Sequence, residues 1–225
     1  MENPFERARG LVGGDGPERV RVRPTPSLSH RAILNPYHEP ADMSAGRAFF
    51  GTGAPVEVEI GFGRPHFLRE RLAQAQDRRF LGFEVRRAWC EQVMGFVDRE
   101  KLDNTRIILS DARPLLLPLL TPGTVSAFYV FFPDPWWKRA HEARRVVSPA
   151  LLDVMAHLLA PTGAFEIRTD VEAYMERVRA MVDEHGGWTE QPAGIDDLGR
   201  TLPLSHREKK CAEAGTPVYR LRVGR

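Results

Sequence analysis

From Pro55 onward the chain alternates dense apolar runs with longer stretches of helical period. Val56 to Ile60, Arg79 to Val85, Thr105 to Leu109 and Val125 to Phe132 are rich in β-branched and aromatic residues, and each runs into a glycine, an acid or a proline, so they read as strands. Leu68, Leu72 and Ala75 recur at helical spacing after the first run, and Val147 to Leu159 reads as a further helix. Ala164 to Arg168 follows as a fifth strand ending in Thr169-Asp170, and the helical spacing of Val171 to Val182 stops at Gly186-Gly187. Alternation of this kind predicts parallel βαβ units, an α/β fold with a doubly wound, mostly parallel sheet. Pro217 to Val223 alternates in the manner of an antiparallel C-terminal edge strand next to solvent. The run Leu115 to Leu120 carries no polar residue and reads as buried core.

Residues 1 to about 50 are rich in Pro, Gly and Arg with no sustained period, which predicts a partly ordered arm (1–50) ahead of one domain (51–225). The 225 residues, of which 42% are apolar, suffice for one compact α/β core. Two cysteines, Cys90 and Cys211, build no disulfide framework, and neither has metal-like spacing with the seven histidines, so no metal is expected. No stretch resembles a signal peptide or reaches the ~18 apolar residues of a membrane helix. A soluble, reduced, cytoplasmic protein without membrane contact is the expectation. The net charge of +2 says little, whereas its distribution says more: Arg19 to Arg31 and Lys138 to Arg145 are basic while the strand ends are acidic. Basic outer segments around an acidic pocket suit a polyanion outside and a cation inside.

The chemistry gathers where the strands end. Gly61-Phe62-Gly63 breaks the first strand directly before a helix, a turn that lets a nucleotide approach the backbone, but the third glycine of a dinucleotide fingerprint is missing. Glu84 closes the second strand, where an acid can accept from both hydroxyls of a ribose, and Asp111 with Ala112 closes the third, where a carboxylate and an apolar wall suit an adenine. Together with Glu59 these acids favour S-adenosylmethionine over a nicotinamide dinucleotide. The fourth strand delivers Pro133-Asp134-Pro135-Trp136, in which prolines on both sides confine the carboxylate. Singly, each acid also fits a helix cap or turn, and the tryptophans also fit a loop plug.

These segments resemble the bacterial tRNA (guanine-N7)-methyltransferases from about Pro55 to the C-terminus. The resemblance rests on Glu59-Ile60-Gly61-Phe62-Gly63, Gly82-Phe83-Glu84-Val85, Asp111-Ala112, Phe132-Pro133-Asp134-Pro135-Trp136, Lys138 with His141 and Arg144-Arg145, Thr169-Asp170, and Gly215-Thr216-Pro217-Val218-Tyr219. It implies a Rossmann-like class I methyltransferase fold and methylation of guanine nitrogen 7 in the variable loop of tRNA. It further implies that Glu59, Gly61, Gly63, Glu84, Asp111, Ala112 and Asp134 contact S-adenosylmethionine, with Asp134 also the catalytic residue. Lys138 and Asp170 would contact tRNA, joined by Ser205 and Glu208 of the C-terminal motif Ser205-His206-Arg207-Glu208. Trp136 is expected to stack on the base, and Arg144 and Arg145 to neutralise phosphates. Three positions depart from the family pattern: Pro65 stands where a glycine is usual, Arg207 where an aromatic ring is usual, and Trp137 where a proline is usual after Trp136. Three rival readings stay open at this stage: a methyltransferase acting on an amino group of nucleic acid or protein, a noncatalytic RNA-binding relative, and a nicotinamide oxidoreductase, against which the missing glycine and the strand-end acids count.

Overall fold

The computed structural model describes residues 28–36, 39–136 and 144–225. They run in the order β1 (Ile33–Leu34), α1 (Pro40–Phe50), β2 (Val56–Ile60), α2 (His66–Gln74), β3 (Arg79–Glu84), α3 (Arg87–Arg99), β4 (Thr105–Leu109), α4 (Leu116–Leu119), β5 (Val125–Phe131), α5 (Pro149–Leu158), β6 (Leu159–Thr169), α6 (Glu172–His185), β7 (Thr189–Glu190), α7 (His206–Ala214) and β8 (Tyr219–Gly224). One sheet contains all the strands, ordered β1-β4-β3-β2-β5-β6-β8-β7. All neighbouring pairs are parallel except those made by β8, which runs antiparallel to β6 and to β7. The chain builds outward from β2 through β3 to β4 and then returns to place β5 on the other side of β2. Strand order therefore reverses between β2 and β5, which is where an open α/β sheet leaves a crevice for a ligand.

The two faces of the sheet are covered differently. On one face, Val56, Val58, Phe128, Val130, Phe165 and Ile167 pack against residues of α1, α4, α5 and α6, the leucines Leu115, Leu116, Leu119 and Leu120 among them. On the other, Leu68 and Leu72 of α2 and Val93 and Val97 of α3 cover the side of β3 and β4. The centre of that second face is closed by an irregular segment, residues 191–205, whose Leu202 sits with Phe67, Ala127, Tyr129 and Phe131. Part of the arm expected from the sequence is built into the domain: β1 extends the sheet beside β4, and Phe50 of α1 enters the core. The C-terminal strand is antiparallel as expected, with only the two-residue β7 outside it. Its polar positions do not meet solvent in the way the alternation suggests, for Arg222 is buried.

Polar residues hold that irregular segment down. Glu57 of β2 is fully buried and receives Arg71 Nε at 3.0 Å and Nη2 at 2.6 Å, Arg78 Nη1 at 3.1 Å and the Tyr129 hydroxyl at 3.1 Å. Arg71 Nη2 also donates to Asp196 at 2.7 Å, and Arg78 pairs with Asp197 at 2.6 Å, so two arginines tie the segment to β2. Ion pairing to Arg71 and Arg200 holds the Asp196 carboxyl far below the usual carboxylate range against the opposing effect of burial. An alternating Val-Glu-Val-Glu strand has the pattern of a half-exposed strand, yet every residue of β2 is buried, and at Glu57 arginines rather than water meet the carboxylate. Replacing Arg71 by Met leaves Glu57 and Asp196 with less compensation. We expect Arg71→Met to lower the unfolding free energy by about 3–5 kcal/mol, the cost of breaking a buried ion pair. Urea denaturation checks this, and a loss below about 1 kcal/mol, the range of surface pairs, would show that the cluster does not anchor the segment.

Candidate active site

The crevice at the reversal point encloses about 670 Å³ and is lined by the ends of β2, β3, β4, β5 and β6 together with the start of α7. That volume is within the range of small-molecule and cofactor pockets. Glu59, Gly61, Gly63, Glu84, Asp111, Ala112, Asp134, Asp170 and Ser205 all line it, so most of the residues singled out in the sequence converge on one cavity.

Its floor is the glycine turn. Gly61 and Gly63 adopt φ of +74° and +53°, and a Cβ at either would meet nothing within 4 Å, so the turn leaves open space above its backbone. The turn is stitched to the neighbouring strand by Gly61 N–H to Phe83 O at 2.8 Å and by Gly63 N–H to Glu84 Oε2 at 2.7 Å. Glu84 Oε1 accepts from the N–H groups of Val85 and Arg86 at 2.8 and 2.9 Å. The expected hydroxyl acceptor is thus first a clamp on the turn, although a carboxylate has more lone pairs than these bonds use. Asp111 is also engaged: Arg113 grips it through Nη2 at 2.7 Å and Nε at 3.0 Å. Sequence reading missed Arg113, although its spacing two residues beyond Asp111 was visible.

Glu59 is the anomaly of the site. It is almost fully buried on the face of β2 that also carries Glu57, and its Oε2 has no hydrogen-bond partner among the described residues. Burial pushes its carboxyl up to about 8, with Arg168 pulling it down and Glu84 adding to the rise. A buried acceptor left without a partner, facing an open pocket, suits a cationic ligand group.

Over the opening stands the loop after β5. Phe132 and Trp136 hold φ of +50° and +40°, uncommon for residues with side chains and a mark of backbone held in place by its surroundings. What holds it is Arg145, whose buried guanidinium donates from Nε to Pro135 O at 3.0 Å and from Nη2 to Trp136 O at 2.9 Å. This corrects the expectation that Arg145 neutralises phosphates, because a side chain buried against loop carbonyls braces the loop instead. Asp134 is exposed at the rim, and Arg144 lies over the Trp136 ring at 5.1 Å. Lys138 and His141 lie outside the described residues.

The far wall comes from β6 and α7. Ser205 caps α7 by accepting from Glu208 N–H at 3.2 Å, while Glu208 Oε2 accepts from Ser205 N–H at 2.8 Å and from Arg168 Nη1 at 2.8 Å. Glu208 is buried, so both residues expected to contact substrate are committed to a reciprocal helix cap, and Glu208 also to an ion pair. The Ser-x-x-Glu spacing was itself the signal for that cap. Arg207, which departs from the resembled pattern, reaches across to Asp170 with Nε at 3.0 Å, occupying a carboxylate expected to meet tRNA.

Comparisons with known proteins agree with this geometry. A family model described as "Putative methyltransferase" matches residues 53–221. A tRNA (guanine-N(7)-)-methyltransferase from Myxococcus xanthus is 35% identical over 179 residues, covering 78% of this chain and 86% of the relative. One from Synechococcus sp. (strain JA-2-3B'a(2-13)) is 34% identical over 202 residues, covering 86% of this chain and 84% of the relative. Among solved structures, the 16S rRNA methyltransferase KamB superimposes with a TM-score of 0.58 at 16% identity, over 90% of this chain and 97% of that one, a likeness of fold. The antibiotic-resistance methyltransferase Kmr does so with a TM-score of 0.54 at 16% identity, over 90% and 96%. With its doubly wound sheet and acid-lined crevice, the chain belongs to the tRNA (guanine-N(7)-)-methyltransferase family.

Proposed function

We propose that this protein transfers a methyl group from S-adenosylmethionine to nitrogen 7 of a guanine in the variable loop of tRNA, with Asp134 at the reacting centre. The observation that carries the reading is the pairing, in one crevice, of a buried carboxyl, Glu59, whose Oε2 has no hydrogen-bond partner among the described residues, and an exposed carboxylate, Asp134, on a loop braced by Arg145. The first fits the cationic end of the cofactor's amino acid, and the second stands where a base entering from outside would arrive. Glu84 and Asp111 with Ala112 are placed along the same crevice for the ribose and adenine. Residues 51–225 form the catalytic unit of this reading, and a tRNA substrate places it in the cytoplasm.

S-adenosylmethionine supplies an electrophilic methyl group on a sulfonium. Guanine nitrogen 7 carries a lone pair and no proton, so the protein needs no strong base, and its work is alignment. Asp134 accepts hydrogen bonds from the amino edge of the guanine and offsets the positive charge that grows on the purine as the new bond forms. Arg145 keeps that carboxylate in position by fixing the carbonyls of the next two residues. Trp136, beneath Arg144, offers an aromatic face beside the entry, and Arg144 and Lys138 supply charge for tRNA phosphates. Asp170 meets tRNA in this reading once Arg207 releases it.

Asp134→Ala removes an exposed side chain, so the variant keeps the wild-type unfolding midpoint while kcat for tRNA methylation falls by about 100-fold or more. Unchanged turnover in a folded variant would remove Asp134 from the reacting centre. A second prediction concerns protons. With its carboxyl at about 8, Glu59 is mostly neutral at pH 7, and an ammonium placed beside it favours the ionised form, so binding expels a proton. Titration calorimetry with S-adenosylhomocysteine at pH 7, in buffers of different ionisation enthalpy, should show proton release that shrinks toward pH 8 and vanishes in Glu59→Gln. Binding without any proton release would mean that Glu59 does not face the ammonium.

A further inference from the structure

Arg64 follows Gly63 directly and stands at the start of α2, exposed at the edge of the cavity. Its guanidinium lies over the Trp89 ring, 5.5 Å from the centroid, and its Nη1 is 2.9 Å from His206 Nε2. An arginine only donates, so His206 Nε2 is the acceptor, and the imidazole is neutral with its proton on Nδ1. Burial, then the charge of Arg64, lowers the tendency of His206 to protonate, in keeping with that arrangement. His66 packs on the His206 ring, centroid to centroid 4.9 Å with the ring planes 38° apart. An exposed arginine is ordinarily free to sample many rotamers, but this one is stacked, hydrogen-bonded and turned along the wall of the pocket. Trp89 and His206 line the same cavity.

The next residue explains what such an arginine is for. Pro65 has no N–H, so the turn that holds the glycines offers one donor fewer to an anion at this point. The ligand of the proposed function has an amino acid end with two opposite charges. Glu59 at the floor accounts for the ammonium and leaves the carboxylate without a counterpart. Arg64 is the cation on the glycine turn itself, and it lies at the N-terminal end of α2, where the helix dipole also favours negative charge.

We propose that Arg64, steered by Trp89 and His206, receives the carboxylate of the methionine part of S-adenosylmethionine, in place of the backbone donor absent at Pro65. The assignment rests on the proposed function. Arg64 is a binding residue, and His206 and Trp89 are positioning residues that act through it. Charge-assisted hydrogen bonds from a guanidinium to a carboxylate are among the strong ones, so the loss of this one is visible in affinity.

The test uses two ligands that differ at that end. S-adenosylhomocysteine carries the amino acid, whereas 5′-methylthioadenosine keeps the nucleoside and sulfur and lacks both charges. Calorimetric Kd values are measured for both ligands on the whole protein and on Arg64→Ala, whose exposed site leaves folding intact. The expected result is an affinity for S-adenosylhomocysteine about 10- to 100-fold weaker in the variant, with methylthioadenosine unchanged. Equal S-adenosylhomocysteine affinity in the two proteins overturns the proposal, and if tRNA affinity alone then falls, Arg64 is an RNA contact. A parallel loss for both ligands overturns it as well, since Arg64 would then shape the pocket rather than bind a carboxylate. Should the wild-type protein bind neither ligand, the cofactor reading itself fails, an outcome distinct from failure of the Arg64 assignment alone.

Discussion

Buried carboxylates on one face of the central strands set the terms for everything around them. Glu59 of β2 and Glu166 of β6 stand level with each other across Tyr129 of β5, and Glu57 lies two residues back along β2. All three are almost wholly removed from water. An ionised carboxylate so placed needs cations and donors, or it takes up a proton instead. Glu57 is met by Arg71, Arg78 and Tyr129, and Glu166 by Arg168 and Arg222, with Gly194 N–H adding its donor. Among the described residues, Glu59 alone of the three keeps an oxygen without a partner, and Glu59 is the one that lines the crevice.

The same arginines connect this charge balance to the shape of the site. Arg168 donates to Glu166 at 2.8 Å, to Glu208 at 2.8 Å and to Pro203 O at 3.1 Å, and lies 4.2 Å from the Phe131 ring centroid. Through those contacts it joins the end of β6 to the cap of α7, and α7 carries His206 and Arg207 to the rim. Arg71 and Arg78 secure residues 191–205 lower down. A face that another α/β protein would cover with a helix is closed here by an irregular segment, feasible because arginines bridge it to the sheet. Arg145 performs a parallel service above the crevice, where it stabilises a loop with two positive φ values. Cation placement thus fixes the far wall and the roof.

How much of this the sequence disclosed follows from the range of the forces involved. Strands and helices were readable because their apolar period is local, and the strand-end acids were readable because a doubly wound sheet brings strand ends together by topology. Glu59, Glu84, Asp111 and Asp134 do meet in one cavity. What the sequence could not disclose was which charges face each other over long separations. Arg145 reads as one more member of a basic run, and only packing shows it turned inward. Glu208 reads as a rim acid until Arg168, 40 residues earlier, is seen against it. Arg113 and Asp111, by contrast, are two residues apart, and their pairing was open to inspection.

The central claim is that this crevice delivers a methyl group to guanine nitrogen 7 of tRNA. It is tested most directly by incubating the protein with unmodified tRNA and methyl-labelled S-adenosylmethionine, digesting the RNA and identifying the labelled nucleoside by mass spectrometry. The labelled product expected is 7-methylguanosine. Label in another nucleoside, or none under conditions where S-adenosylhomocysteine binds, would contradict it.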